Sequence, residues 1–205
     1  MLAVSLPSVV SPETCARLLA VICLAMVCAC ASPNPTLYTL SVVPGQALGG
    51  APAVIRIREI SIARYLDRPQ IVRGADANQL DVRANELWGE PLGAMLSRVL
   101  AEELAQRLPH SMVFGEHGAV SPTADATVLI SVEQLDADGP GAVALVAHTS
   151  VSFKNGSSQP VLATVRVRIP GDTVATSSEV AAMSTAVGQL ADRIAETLRT
   201  GGAGT

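Results

Sequence analysis

The chain has 205 residues, a largely aliphatic composition and a formal net charge of −4 at neutral pH. Because acidic residues outnumber basic ones, the charge balance gives no case for a nucleic acid as a partner. Aromatic residues are scarce, so the core must be aliphatic and stacking platforms for bases or sugars are poorly supplied; the set is Tyr38, Tyr65, Trp88, Phe114 and Phe153.

The amino-terminal segment has the layout of a cleaved export signal. Arg17 precedes a short apolar run over residues 18–27, and the small residue Ala29 stands directly before Cys30. A membrane-spanning helix needs about 20 apolar residues, and this run is much shorter. We therefore expect residues 1–29 to be a signal peptide that is removed.

The residues around the predicted cut resemble the lipobox of bacterial lipoproteins. Val27 is the aliphatic position, Cys28 the free position and Ala29 the small one, followed by Cys30. The resemblance implies a thioether-linked diacylglycerol on Cys30. The other three cysteines precede the cut, so the mature chain has neither a disulfide framework nor a cysteine-ligated metal site. The alternative is a chance cysteine behind an ordinary signal peptide.

Residues 30–36 are predicted to be a lipidated tether. Pro33 and Pro35 favour extended backbone, and at roughly 3.3 Å per residue the tether reaches only about 20 to 25 Å. The folded part must therefore lie close to its bilayer. We expect a single domain over residues 37–200 and a flexible tail over residues 201–205.

The first half of the domain is predicted to begin with strands. Residues 37–43 have the β-branched and apolar content of a strand. In residues 54–62, apolar and polar residues alternate, but the apolar positions shift by one residue near Glu59, which indicates a strand with a bulge there. Two short strands, 71–73 and 80–83, flank the turn-rich residues 74–78 and so predict a hairpin.

A long amphipathic helix is predicted over residues 87–108. Pro91 fits its first turn, and residues 85–89 are expected to form a turn ahead of it. The apolar stripe is Leu92, Leu96, Val99, Leu100, Leu104 and Leu108. The charged residues expected off this stripe are Arg98, Glu102, Glu103 and Arg107.

The second half predicts a meander and a final helix. After a short strand at 111–114, residues 127–135, 142–153 and 161–169 alternate, and the links 138–141 and 155–156 have tight-turn chemistry. A capping-box pattern at 176–179 opens a helix that ends at Gly201 and Gly202. The predicted fold is α+β, a largely antiparallel sheet with two long helices packed on one face.

No catalytic constellation is visible. His110, His117 and His148 lack metal-ligand spacing, so we expect no metal and no cofactor. The sequence has no nucleophile elbow and no phosphate-binding glycine loop after a strand. Residues 136–139 look like the start of a calcium loop but lack its remaining ligands, and we interpret them as a hairpin turn. A tethered enzyme is therefore the least supported class of function.

Two sequence blocks combine charged, aromatic and proline residues in a pattern that the strands and helices alone do not explain. The first reads Tyr-Leu-Asp-Arg-Pro-Gln over residues 65–70, and the second places Trp88 before Glu-Pro-Leu at 90–92. Together with the lipobox and the order of elements, the blocks resemble the PqiC/YmbA family of lipoproteins, the auxiliary component of ABC-type and MCE-type transport systems. The likeness covers nearly all of residues 30–199.

The resemblance implies a non-enzymatic, periplasm-facing lipoprotein. Its implied partners are an MCE-domain protein and integral-membrane transport subunits, in a system that moves lipids between membranes or keeps the envelope intact. Assembly of this chain into a homo-oligomer is a further alternative. The candidate partner-binding residues are Tyr65, Asp67, Arg68, Gln70 and Trp88. The structural alternative is that Tyr65 and Trp88 fill the core and Asp67 pairs internally with Arg68.

Two further alternatives concern function and location. A lipoprotein that itself carries a hydrophobic ligand would need an apolar cavity between sheet and helices. For location, the residue after the modified cysteine is Ala31 rather than Asp. By analogy with enteric-type bacteria, this favours the periplasmic face of the outer membrane, with the inner membrane as the alternative.

Overall fold

The computed structural model describes residues 34–76, 78–116, 122–139, 141–154 and 159–202. Cys30, the signal peptide, His117 and the 155–156 turn lie outside these residues. The elements, in chain order, are β1 (Thr36–Tyr38), β2 (Val54–Ile57), β3 (Ser61–Ile62), β4 (Gln70–Asp76), β5 (Gln79–Trp88), α1 (Leu92–Arg107), β6 (Met112–Gly115), β7 (Ala126–Ala137), β8 (Ala142–Phe153), β9 (Val161–Pro170) and α2 (Thr176–Gly202).

The larger sheet has the order β6-β2-β7-β8-β9, and β3 also pairs with β7. The antiparallel meander β7–β8–β9 is confirmed, with Val128 opposite Val151 and Ala147 opposite Val165. Between β7 and β8 the chain turns with positive φ at Gly139 and Gly141, which glycine adopts without strain. The pairs of β2 with β6 and β7, and of β3 with β7, are parallel.

A second sheet has the order β1-β5-β4. Its β4–β5 hairpin is antiparallel, as predicted, while β1 lies parallel to β5 with Tyr38 opposite Trp88. A single bridge between Gly74 and Asp138 joins the hairpin to the end of the larger sheet. A Cβ at Gly74 would lie 2.8 Å from the carbonyl of Ala137, so this approach requires glycine.

One hydrophobic core joins the sheet and the helices. The apolar stripe of α1 packs with that of α2, and both meet the aliphatic face of β7 and β8. Its fully buried members include Leu96, Leu100, Val128, Leu145, Val187 and Leu190. The α+β class and the mostly antiparallel pairing are confirmed. In the described residues, neither helix combines the length and the apolarity that a bilayer crossing requires.

The predicted strand at 37–43 is wrong beyond Tyr38. Residues 39–50, which we call the strap, have no regular structure, and side chains of the two helices rather than a neighbouring strand accept three of their N–H groups. The N–H of Leu40 faces Met95 Sδ, that of Ser41 donates to Ser184 Oγ at 3.1 Å, and that of Val43 donates to Glu103 Oε1 at 2.8 Å.

Two other boundaries differ from the prediction. The turn expected at 85–89 is wrong up to Trp88, because these residues extend β5 to pair with β1, and α1 begins after Pro91 rather than at residue 87. The predicted bulge near Glu59 is a complete break between β2 and β3, with both strands pairing along β7.

Candidate functional site

The first motif block forms a tight loop between β3 and β4. The N–H of Ala63 donates to Val132 O at 2.9 Å, and the N–H of Leu66 donates back to Ala63 O at 2.9 Å. The side chain of Leu66 is buried in the core. These bonds leave Asp67 and Arg68 at the apex of the loop, where both side chains are exposed.

Tyr65 anchors this loop to the larger sheet. Its hydroxyl donates to Asp136 Oδ2 at 2.8 Å, and Gln134 Nε2 donates to Asp136 Oδ1 at 2.9 Å. Burial, aided by the Asp136 carboxylate, raises the pKa of Tyr65, so the phenol stays a donor at neutral pH. Burial also raises the pKa of Asp136, although its two hydrogen bonds act in the opposite direction.

Trp88 joins the two motif blocks. Its side chain is only 8% exposed and packs in the core, while its backbone N–H donates to Pro69 O at 2.8 Å. The next N–H, that of Gly89, donates to Tyr38 O at 2.8 Å. The tryptophan therefore holds the loop of the first block against the start of the second, and β1 lies alongside.

The two blocks together line a surface groove of about 380 Å³, which we call the motif groove. Its apolar floor comes from Pro69, Trp88, Pro91 and Leu92, and its rim carries Asp67, Arg68 and Glu90. Arg98 fixes Glu90 in an ion pair of 2.6 Å. Among the described residues, the side chains of Asp67 and Arg68 have no ion pair or hydrogen bond, so the internal pair considered from sequence does not form.

A wider groove of about 730 Å³ adjoins the motif groove and shares Asp67 and Pro91 with it. It lies between the break at residues 58–60 and the first turns of α1. Gln70, the remaining candidate, is half-buried and pairs with Leu87 in the hairpin, outside the lining of either groove. The structure thus brings together four of the five candidates, two as scaffold and two as exposed charges.

Sequence reasoning missed two buried ionic clusters. In the first, Arg73 pairs with Glu179 and donates to Thr176 Oγ1 at 2.9 Å, while Thr176 donates to Glu86. The predicted capping box is therefore wrong in its use of Thr176 and Glu179, which tie α2 to the β4–β5 hairpin instead. Burial raises the pKa of Glu179 to about 7, against the opposing effect of Arg73.

The second cluster lies under the strap. Arg107 is 1% exposed and donates to Asp192 Oδ1 at 2.6 Å, Gly188 O at 3.0 Å and Val43 O at 3.1 Å. Glu103 is also buried, which corrects the expectation that these charges lie off the packed stripe. Their spacing held the signal, since positions 96, 100, 103 and 107 repeat at helical intervals.

The described histidines show no site of their own. His148 lies on the exposed sheet face, with Nδ1 3.0 Å from Thr164 Oγ1 and Nε2 3.7 Å from Glu133. His110 is exposed beyond the end of α1. Within the described ranges, no three histidine, cysteine or acidic side chains are grouped as metal ligands.

The fold has counterparts among solved proteins. The crystal structure of an uncharacterized protein matches with a TM-score of 0.68 at 17% identity, over 80% of this chain and 98% of that one. A protein from Xanthomonas campestris matches with a TM-score of 0.68 at 20% identity, over 81% and 96%. At these identities the likeness shows the fold alone. The search of curated proteins finds no match.

A family model described as the ABC-type transport auxiliary lipoprotein component matches residues 38–195. This span contains both motif blocks, the strap, the sheet and most of α2. It covers well over half of the chain, and the family is described as a transport auxiliary component. The chain therefore belongs to the family of ABC-type transport auxiliary lipoproteins, the PqiC/YmbA family that its motifs resemble.

Proposed function

We propose that this protein is a periplasm-facing lipoprotein, anchored through Cys30, that serves as a non-enzymatic accessory subunit of an MCE/ABC-type lipid transport system. The observation that carries the proposal is the motif groove, where the exposed charges of Asp67 and Arg68 stand beside a rigid apolar floor that includes Trp88 and Pro91. Such a pairing of fixed apolar surface and uncommitted charge suits docking to another protein.

The role of each candidate residue follows from its burial. Tyr65 and Trp88 hold the groove in shape through buried contacts. Arg68 is free to donate charge-assisted hydrogen bonds to a carboxylate or carbonyl of the MCE-domain protein or of a membrane subunit. Asp67 is free to accept from a basic or amide group. Gln70 supports the base of the loop from within the hairpin.

The experiment is a pull-down of the full lipoprotein, in detergent, with the neighbouring MCE-domain protein as partner. Arg68→Glu should weaken association by roughly tenfold, because charge complementarity becomes repulsion. Arg193→Glu on α2 is the matched control, since Arg193 is also exposed and has no side-chain partner among the described residues. Equal association of both variants with the MCE protein would refute the docking site, and absence of any association would refute the function.

The alternative role, that of a lipid carrier, would need an apolar cavity between the sheet and the helices. The space between sheet and helices is filled by fully buried side chains such as Met95, Leu100, Leu145 and Leu190. The grooves described above lie at the surface. For the described part of the chain we therefore favour docking to a partner protein over carriage of a hydrophobic ligand.

For the anchor, we expect Cys30→Ser to give a folded but unacylated protein that is lost from membrane fractions. Labelled fatty acid that still enters this variant would contradict the assignment. Since Ala31 follows the cysteine, we place the wild-type protein on the periplasmic face of the outer membrane. Membrane fractionation tests this placement, and recovery solely in the inner membrane would overturn it.

A further inference from the structure

The outer edge of β9 is the longest open strand edge in the described part of the fold. Strand β9 ends the order of the larger sheet, and β8 covers one side of all its residues from Val161 to Pro170. No described strand covers the other side. The other terminal strands are shorter: β4 has seven residues, β6 four and β1 three, against ten in β9. Long open edges invite pairing, and proteins usually shorten or cover them.

The backbone groups that face this open edge can be assigned. The N–H of Gly171 donates to Gly141 O at 2.9 Å, directly beyond the pair of Pro170 with Ala142. Hydrogen-bonded and non-hydrogen-bonded pairs alternate along an antiparallel ladder. The odd-numbered residues of β9 therefore bond to β8. The N–H and C=O groups that point outward belong to Leu162, Thr164, Arg166 and Arg168. Pro170 fits this phase, because its missing N–H also points outward.

The side chains of the same outward-bonding residues lie on the sheet face away from the helices. Leu162 is 75% exposed and stands across Ser150 from Leu129, which is 44% exposed. The two leucines line a shallow trough of about 550 Å³. The edge therefore offers an apolar contact next to its free hydrogen-bonding groups.

The charge at this edge is positive in an acidic protein. Arg168 pairs with Asp138 at 3.0 Å, whereas Arg166 is exposed and has no partner among the described residues. Strand β9 itself contains no acidic residue. A second copy of β9 would bring two more arginines and no carboxylate, so self-pairing lacks charge complementarity.

We propose that the outer edge of β9 binds an extended acidic segment of a partner protein as an added strand, with an apolar side chain beside Leu162 and a carboxylate beside Arg166. Main-chain hydrogen bonds would supply affinity, and the alternate side chains would supply specificity. This surface is separate from the motif groove, and the inference does not depend on the lipid transport role.

The test uses the full detergent-solubilised lipoprotein and a fluorescent ten-residue peptide. The peptide alternates threonine and valine, with a leucine near one end and two glutamates near the other. Anisotropy should show saturable binding that weakens as salt rises. Arg166→Glu should weaken binding by roughly tenfold, while Arg193→Glu should leave it unchanged. Equal binding by these two variants, or no binding to the wild type, would overturn the proposal.

Backbone pairing is tested separately by N-methylation of the peptide, which leaves the protein unaltered. Methylation of one alternate set of peptide nitrogens should abolish binding, and methylation of the other set should leave it intact, since only one set faces β9. An equal effect of both sets would refute strand addition. The variant Thr164→Cys tests whether the outer edge of β9 instead pairs with a second copy of this chain. A disulfide that joins two copies of the lipoprotein would show such self-pairing and overturn the proposal of an acidic partner segment.

Discussion

Glu103 makes the stability of the fold depend on pH. Burial raises the pKa of its carboxyl from 4.5 to about 7, and the Val43 N–H and the Arg107 charge only partly oppose this. The folded state therefore holds a proton more tightly than the unfolded chain between these two values. The free energy of unfolding should fall as pH rises from about 4.5 to about 7 and then level off, by at most about 3 kcal/mol from this group.

The matched pair Glu103→Gln and Glu102→Gln tests this linkage by urea unfolding between pH 4.5 and pH 8. The glutamine at 103 keeps an acceptor for Val43 but cannot titrate, so the slope should shrink, and the remaining slope comes from the other buried acids, Glu179 and Asp136. Glu102 is exposed, and its charge is the smallest of the contributions that raise the pKa of Glu103, so its variant should reduce the slope far less than Glu103→Gln does. An unchanged slope in Glu103→Gln would mean that the carboxyl ionises normally in the folded protein.

At the scale of single residues, the sequence identified the motif residues that lie together, but it did not predict most of their contacts. The two motif blocks do meet, and Trp88 does fill the core where the hairpin approaches α1. The bond from Tyr65 to Asp136 could not be foreseen, because it joins residues 71 positions apart through strand pairing. The helical spacing of Arg107 with the apolar stripe indicates that it faces the core, but it could not identify the acceptors in the strap and α2 that the buried guanidinium needs.

Helix packing against the strap can be tested at two glycines. A Cβ at Gly188 of α2 would lie 2.9 Å from Val43 Cβ, whereas a Cβ at Gly93 of α1 would meet only Ile60 O at 3.5 Å. Gly188→Ala should destabilise by roughly 1 to 3 kcal/mol despite the better helix propensity of alanine. Gly93→Ala should be neutral or stabilise by less than about 1 kcal/mol.

The measurement is the urea midpoint of each variant, with Val43→Ala as the compensating change. Adding Val43→Ala to Gly188→Ala should recover only a small part of the loss, because alanine removes the Val43 Cγ1 that lies 3.2 Å from the new methyl group but keeps the Cβ at 2.9 Å. If Gly188→Ala were as stable as Gly93→Ala, the strap would not pack tightly on α2.

At the scale of elements, periodicity predicted well wherever a strand or helix has one buried face. Buried and exposed residues alternate along β7 to β9, and apolar residues recur at helical spacing in both helices, so these elements were predicted closely except for the start of α1. Residues 39–43 of the strap were mistaken for a strand because their apolar side chains, the buried Leu40 and the half-buried Val42 and Val43, pack near the helices rather than on a sheet. The parallel pairs of β1 and β2 were missed, since their partners are distant in sequence and local patterns carry no information on pairing.

The molecule as a whole should need its strap but not its anchor to fold. The strap contributes three residues to the hydrophobic core: Leu40, at 3% exposure, and the half-buried Val42 and Leu48. The strap also supplies Val43 O to the buried guanidinium of Arg107. Its loss would expose apolar surface and leave buried charge without a partner, which together cost several kcal/mol of a total of about 5 to 15 kcal/mol.

We therefore expect a chain that starts at Pro35 to unfold cooperatively in urea, and a chain that starts at Ala51 to lose cooperative unfolding. A synthetic peptide of residues 35–50, added in excess, should restore the transition to the shorter chain, because it returns β1 together with the strap contacts to Glu103 and Arg107. Circular dichroism and urea titration measure both effects. Cooperative unfolding of the Ala51 chain without peptide would show that the two helices and the larger sheet are stable alone and that the strap only covers them.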